Sequence, residues 1–271
     1  MGQYITTGDG TKIAVYDPNP SGRKAILLIH GWPLSHEIFE YQIPALISRG
    51  YRVVTMDLRG FGNSDMPGNG YGYDRMAGDI YEVVKMLGLW NFTLGGFSMG
   101  GSIVLRYMYL FQGYGVNRLL LFAAAAPCWT KRPGFPYGKT KEDANVLIRQ
   151  AATDRARLAY DFSHKQLLYG QHSKAIKDWF YNIALSATGY ATIKTGISLR
   201  DEDGRRDLKA VHVPTAVFQG NQDVVVTREL TMYQYENIPG AVLYEFAESG
   251  HGVIYDELPQ FNEKLLEFLG N

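Results

Sequence analysis

Phe92-Thr93-Leu94-Gly95-Gly96-Phe97-Ser98-Met99-Gly100-Gly101 is the stretch whose reading decides the fold. A short apolar run, Phe92 to Gly95, leads into Gly-x-Ser-x-Gly, and a helix-like stretch from Ser102 to Phe111 follows. A serine held between strand and helix in this way sits on a very tight turn, so its hydroxyl stands clear above the sheet. The flanking glycines let strand and helix approach where a Cβ would clash. A pentapeptide of common residues also arises by chance. A buried or helix-capping serine is therefore the plain alternative for Ser98, to be weighed against the rest of the chain.

Working outward, Ala25 to Ile29 is a continuous apolar run, short enough for a strand covered on both faces. Tyr51 to Met56, Arg118 to Ala124, Thr215 to Gln219 and Val242 to Phe246 also read as strands. Tyr4 to Tyr16 predicts a hairpin around Gly8-Asp9-Gly10. A helix is expected over Glu37 to Ser48, with Pro44 complicating its middle. Tyr73 to Leu87 carries Met76, Ile80, Val83, Val84 and Leu87 at helical spacing. Arg228 to Glu236 and Leu258 to Leu269 read as two more helices.

Strands alternating with helices imply an α/β fold, a mostly parallel sheet with helices on both faces. From Cys128 to about Ala210 the alternation stops. Helix-like stretches rich in charge and aromatics, Glu142 to Tyr160 and Ala175 to Leu185, replace it. The expected organisation is a core of residues 1–127 and 211–271 with an inserted helical cap over 128–210.

Composition excludes several function classes. The chain has 271 residues, 46% hydrophobic and 20% charged, enough for one large domain with a full core. Its formal net charge is zero, so attraction to nucleic acid or to an anionic membrane surface is not implied. The single cysteine, Cys128, allows no intrachain disulfide, which suits a reducing compartment. The N-terminus shows no basic region followed by an apolar block, and a cytoplasmic location is expected. No metal-binding spacing and no nucleotide-binding glycine motif is present, so neither metal nor cofactor is expected.

A serine hydroxyl needs a base, and the base needs an orienting acid. On a sheet of this kind the three follow in the order Ser, acid, His, each on a loop at a strand's C-terminal end. Thr215 to Gln219 runs into Gly220-Asn221-Gln222-Asp223, which puts Asp223 just past a strand. Val242 to Phe246 runs into Glu248-Ser249-Gly250-His251-Gly252, which gives His251 the matching place. Of the other histidines, His30 ends a strand but precedes Ser98, and His164, His172 and His212 fall in or near the cap. Glu248 is the second choice for the acid.

An oxyanion hole needs two backbone donors. Met99 follows the nucleophile at a helix start, and Trp32 lies in His30-Gly31-Trp32-Pro33, where Pro33 has no N–H to offer. Cap aromatics that could face Ser98 are Tyr137, Tyr160, Phe162, Trp179, Phe180 and Tyr181. Tyr137, Trp179 and Phe180 are taken, with Trp32 and Met99, as the substrate pocket. Asp57, Arg59 and Asp65 read as charges tying loops together.

His30-Gly-Trp-Pro-Leu-Ser35, Asp57-Leu-Arg-Gly-Phe-Gly-Asn-Ser64, Gly96-Phe-Ser-Met-Gly-Gly101, Gly220-Asn-Gln-Asp223 and Ser249-Gly-His251-Gly252 together resemble the cofactor-free haloperoxidase and perhydrolase-like carboxylesterases of the α/β-hydrolase superfamily. The resemblance implies Ser98, Asp223 and His251 as triad, Trp32 and Met99 as oxyanion donors, and short-chain esters or amides as substrates. Pro33 is similar to members that make peracids from a carboxylic acid and peroxide. The expected activity is hydrolysis of small carboxylic esters through an acyl-enzyme, with peracid formation as a side activity. A lactamase or C–C bond hydrolase on the same triad is the alternative within enzymes, and a ligand-binding receptor with little turnover the alternative outside them. The expected partner is a small-molecule ester, with neither nucleic acid nor membrane, and a homo-oligomer is left open.

Overall fold

The computed structural model describes residues 2–270. Its centre is one sheet of strands β1 (Gly2–Thr6), β2 (Lys12–Tyr16), β3 (Lys24–Ile29), β4 (Tyr51–Met56), β5 (Phe92–Phe97), β6 (Val116–Phe122), β7 (Thr215–Gly220) and β8 (Val242–Phe246). The spatial order is β1-β2-β4-β3-β5-β6-β7-β8. β1 and β2 form the antiparallel hairpin that Gly8-Asp9-Gly10 predicts, and β2 joins β4 antiparallel. All later pairings are parallel. β5 is buried along its whole length, as a central parallel strand covered on both faces must be.

Two helical expectations divide in the structure. Glu37 to Ser48 is not one helix but a 3-10 turn, His36–Phe39, and helix α1, Gln42–Ile47. Pro44 lies in the first turn of α1, where its missing N–H costs nothing. Helices α2 (Tyr73–Met86) and α3 (Met99–Leu110) follow as predicted. Glu142 to Tyr160 breaks at Asp154 into α4 (Lys141–Thr153) and α5 (Arg155–Asp161), because the Asp154 carboxylate caps α5 through the Arg157 N–H at 3.0 Å. A π-helical turn, Phe162–Gln166, continues from α5, and α6 (Lys174–Ser186) comes next.

Helix α7 (Gly189–Asp201) is not evident from sequence. Two glycines and several β-branched residues lower its propensity, and Thr192 and Thr195 donate their hydroxyls to carbonyls one turn back. α8 (Arg228–Asn237) and α9 (Leu258–Leu269) complete the core, with Phe261, Leu265 and Leu269 of α9 buried against the sheet.

The chain leaves β3 for β4 on one side and returns to β5 on the other. The carboxyl ends of β3 and β5 therefore flank the reversal point where α/β sheets open a crevice. Charges, most of them buried, brace this end. Arg59, fully buried, forms a two-pronged pair with Asp79 at 2.6 and 2.7 Å. Asp57 accepts from the His36 and Asn63 N–H groups, both at 2.9 Å, and Asp65 from the Lys12 N–H at 2.9 Å. These are the loop-tying roles expected of them. Arg106 of α3 meets Asp207 at 2.7 Å and also reaches Asp74, which fixes the helix behind Ser98 to the end of the 128–210 segment.

His30, fully buried at the end of β3, accepts the Leu58 N–H at Nε2 (2.9 Å) and donates from Nδ1 to Gly31 O (2.9 Å). Burial pushes its pKa down from 6.5 to about 4. The unfolded chain therefore takes up a proton here at a pH where the folded chain resists it, and stability falls as pH drops through this window. In urea unfolding, the stability advantage of the wild type over His30→Gln should shrink by up to about 3 kcal/mol between about pH 7 and pH 4. A gap that stays constant with pH would contradict the buried neutral imidazole.

Candidate active site

Ser98 joins β5 to α3 at φ 52°, ψ −118°, a backbone region that L-residues visit at a cost of about 1–3 kcal/mol. Neighbours hold it there. Its N–H donates to Phe122 O, and its carbonyl accepts from the Gly101 and Ala125 N–H groups, all at 2.9 Å. The approach around it is close. A Cβ on Gly96 would lie 2.4 Å from Gly100 O, and one on Gly100 would lie 2.4 Å from Ile29 O. Both positions of the Gly-x-Ser-x-Gly pattern are thus dictated by contact between β3, β5 and α3.

The structure brings Ser98, His251 and Asp223 together from the ends of β5, β8 and β7. Ser98 Oγ lies 3.0 Å from His251 Nε2, and His251 Nδ1 lies 2.8 Å from Asp223 Oδ2. A carboxylate can only accept, so the Nδ1 proton goes to Asp223 and the Nε2 lone pair faces the serine hydroxyl. The other oxygen of Asp223 accepts from the Val225 and Val226 N–H groups at 2.7 and 2.8 Å. Each partner thereby has its geometry fixed. His251 is fully buried, between the rings of Phe97 at 4.9 Å and Phe162 at 6.3 Å. Glu248 is exposed, and Asp223 is the carboxylate that meets His251.

The loop carrying His251 is suspended from a carboxylate of its own, Asp256. Asp256 is fully buried at its side chain and accepts the Gly250 N–H at 2.7 Å and the Tyr169 N–H at 3.1 Å. His172 Nε2 completes its shell at 2.7 Å. On the other side of the loop, the Gly252 N–H donates to Leu167 O at 2.5 Å. Gly252 is therefore bonded directly to the segment that follows the π-helical turn, and Gly250 is tied to it through Asp256.

Both expected oxyanion donors sit beside Ser98. Met99 opens α3, where an N–H has no carbonyl one turn back. The Trp32 N–H donates to no other backbone group among the described residues. Its loop abuts Ser98, since a Cβ on Gly31 would lie 2.8 Å from Ser98 Cβ. The Trp32–Pro33 peptide is cis.

A cavity of about 440 Å³ opens over Ser98. Trp32 lines it as expected, and of the aromatics expected from residues 128–210 Phe162 does too. The other three aromatics proposed for the pocket do not reach it. Tyr137 packs edge-on against Phe135 on the far side of the segment, 5.3 Å between rings. Trp179 and Phe180 pack on each other at 4.7 Å, with Trp179 against Tyr41 and Phe180 against Tyr255. The Met99 side chain is fully buried in the core and is not a wall.

The walls are instead Trp129, Leu158, Leu199, Val224 and Val225, with Asp143, Val146 and Leu147 of α4 on one helical face. That three-and-four spacing is the signal that could have found them. Trp32 and Trp129 tie their indole N–H groups to Thr192 O (2.9 Å) and Val225 O (3.0 Å), leaving hydrocarbon for the cavity. Cys128 is not a wall. It donates to Asp203 at 3.3 Å, and burial pushes its thiol up to about 12.

Sequence comparison agrees with this geometry. Residues 24–258 match the family model for the alpha/beta hydrolase fold. The AB hydrolase superfamily protein YisY of Bacillus subtilis (strain 168) is 42% identical over 268 residues, covering 99% of each chain. Among solved structures, an esterase from Exiguobacterium antarcticum superposes with a TM-score of 0.96 at 40% identity, and a bromoperoxidase from Bacillus anthracis with 0.94 at 30%, each covering 100% of both chains. A parallel sheet with a serine on its central elbow and a histidine and a carboxylate at later strand ends, matched along nearly its whole length by such relatives, makes this chain a member of the α/β-hydrolase family, on its esterase- and haloperoxidase-like side.

Proposed function

We propose that this protein is a serine hydrolase of small carboxylic esters, with Ser98 as nucleophile, His251 as base and Asp223 as the acid that orients it. The observation that carries the reading is the unbroken line from Ser98 Oγ through both nitrogens of His251 to Asp223, opening on a mostly apolar cavity. In this mechanism Oγ attacks the ester carbonyl while Nε2 takes its proton. Asp223 stabilises the imidazolium through Nδ1–H. The tetrahedral oxyanion is held by the Trp32 and Met99 N–H groups, the latter aided by the positive end of α3. Collapse gives an acyl-enzyme and releases the alcohol, which takes its proton from Nε2. Water activated by His251 then clears the acyl group.

The cavity volume sets the substrate scale. About 440 Å³ lies at the lower end of small-molecule sites, room for an ester of about a dozen heavy atoms rather than a polymer. Residues 128–210 act in this reading as a cap over a core of 1–127 and 211–271, because Trp129, Val146, Leu158 and Leu199 supply much of the wall. Hydrogen peroxide in place of water would release a peracid by the same route. The similarity to a bromoperoxidase and the presence of Pro33 support testing that activity.

Two variants test the reading. Ser98→Ala should lose about 10⁴- to 10⁶-fold in kcat on a chromogenic acetate ester, and retained activity would overturn the assignment. Asp256→Asn replaces an acceptor that holds the His251 loop and should lower kcat by about tenfold to a hundredfold with KM little changed. Titrating active sites with a fluorophosphonate separates this from loss of folded enzyme. A full complement of titratable sites turning over at the wild-type rate would show that Asp256 does not position His251.

A further inference from the structure

A second hollow lies at the opposite edge of the sheet, where the parallel strands begin. Its volume is about 360 Å³, and its walls include Arg23, Lys24, Arg52 and Arg118, with no Asp or Glu among the described residues that line it. That concentration is unexpected in a chain of zero net charge. Arg52 is committed to Asp17 at 2.7 Å. The others are not. Among the described residues, every arginine side chain meets a carboxylate or a backbone carbonyl except those of Arg23, Arg49 and Arg118. Two of those three face this one hollow. Among the described residues, the Lys24 ammonium has a contact to the Tyr51 ring at 5.8 Å and no carboxylate partner. Arg118 is half-buried and Arg23 and Lys24 are exposed, so all three line a hollow that an anion can enter from solvent.

The sheet register explains how the charges converge. Ile26 pairs with Thr93 and Thr93 with Arg118, so Thr93 and Arg118 share a face with Lys24, two residues before Ile26 on β3. With strands about 4.8 Å apart, Lys24 and Arg118 stand two strands from each other across Thr93. That span suits two long cationic side chains closing on one ligand. Between them the β5–β6 ladder is bulged at Phe92/Thr93, and the extra residue is Asn117. Its amide donates to Asn91 O and Oδ1, both at 2.9 Å, which fixes the polar floor of the hollow. Trp90, 69% exposed, stands at the rim and provides an optical reporter.

We propose that this hollow is a binding site for a compact multivalent oxyanion, held by Arg23, Lys24 and Arg118 and separate from the Ser98 cavity. Arginine and lysine recognise phosphate and carboxylate oxygens through charge-assisted hydrogen bonds, which makes both anion classes candidates. Pyrophosphate and citrate serve as probes of the two sources.

Titration calorimetry at about 150 mM NaCl, with Trp90 fluorescence in parallel, should show saturable binding of at least one probe at one site per chain. Arg118→Gln and Arg23→Gln should each weaken it at least about tenfold, whereas Arg49→Gln, which removes an unpartnered arginine outside the hollow, should leave it unchanged. Hydrolysis of the chromogenic acetate by all three variants verifies that they are folded. Pyrophosphate binding more tightly than citrate assigns the site to phosphate compounds, and equal binding assigns it to multivalent anions at large. No saturation by either probe at about 10 mM, or a loss in Arg49→Gln equal to that in Arg118→Gln, would overturn the proposal.

Discussion

The structure depends on one close approach, that of β5 and α3 at Ser98. The turn between them is so tight that the serine adopts φ 52°, and it exists only because Gly96 and Gly100 leave no side chain in the contact. Strain of this kind persists where the surroundings over-determine it. Here Phe122, Gly101 and Ala125 hold the Ser98 backbone, and the buried Arg106–Asp207 pair holds the helix behind it. The result is a hydroxyl fixed above the sheet's carboxyl edge, next to the first free N–H of a helix.

The rest of the site's geometry is built by suspension rather than by rigid elements. Asp223 and His251 lie on loops, yet each is pinned on two sides. Asp223 is held by the Val225 and Val226 N–H groups, and the His251 loop by Asp256 and Leu167 O. Because Tyr169 and His172 also bond Asp256, the same carboxylate links the histidine loop to the segment that walls the cavity. Movement of that segment and the placing of the imidazole are therefore mechanically connected.

Much of this was legible in the sequence because it depends on local order. The strand runs, the glycines of the elbow and the positions of Asp223 and His251 just past strand ends are properties of short stretches, and their chain order restricts how they can meet. The cavity wall was not legible in the same way. Trp179 and Phe180 sit in a clearly amphipathic helix, but periodicity shows that a face is buried, not what it is buried against. In the structure that face packs on Tyr41 and Tyr255 rather than over Ser98. Helix α7 was missed because glycine and threonine weaken its local signal, although its packing and i−4 hydroxyl bonds stabilise it. Asp256 carries no signal in the sequence because its partners are backbone N–H groups that only the fold brings near.

The central claim is that His251 and Asp223 make Ser98 Oγ a nucleophile, not merely a buried hydroxyl. Intact-mass and peptide mapping after brief exposure to a fluorophosphonate tests this most directly. The account predicts a single adduct on the peptide carrying Ser98, formed rapidly in the wild type and slowed by orders of magnitude when His251 is replaced by alanine. An adduct on another residue, or equal labelling with and without His251, would contradict it.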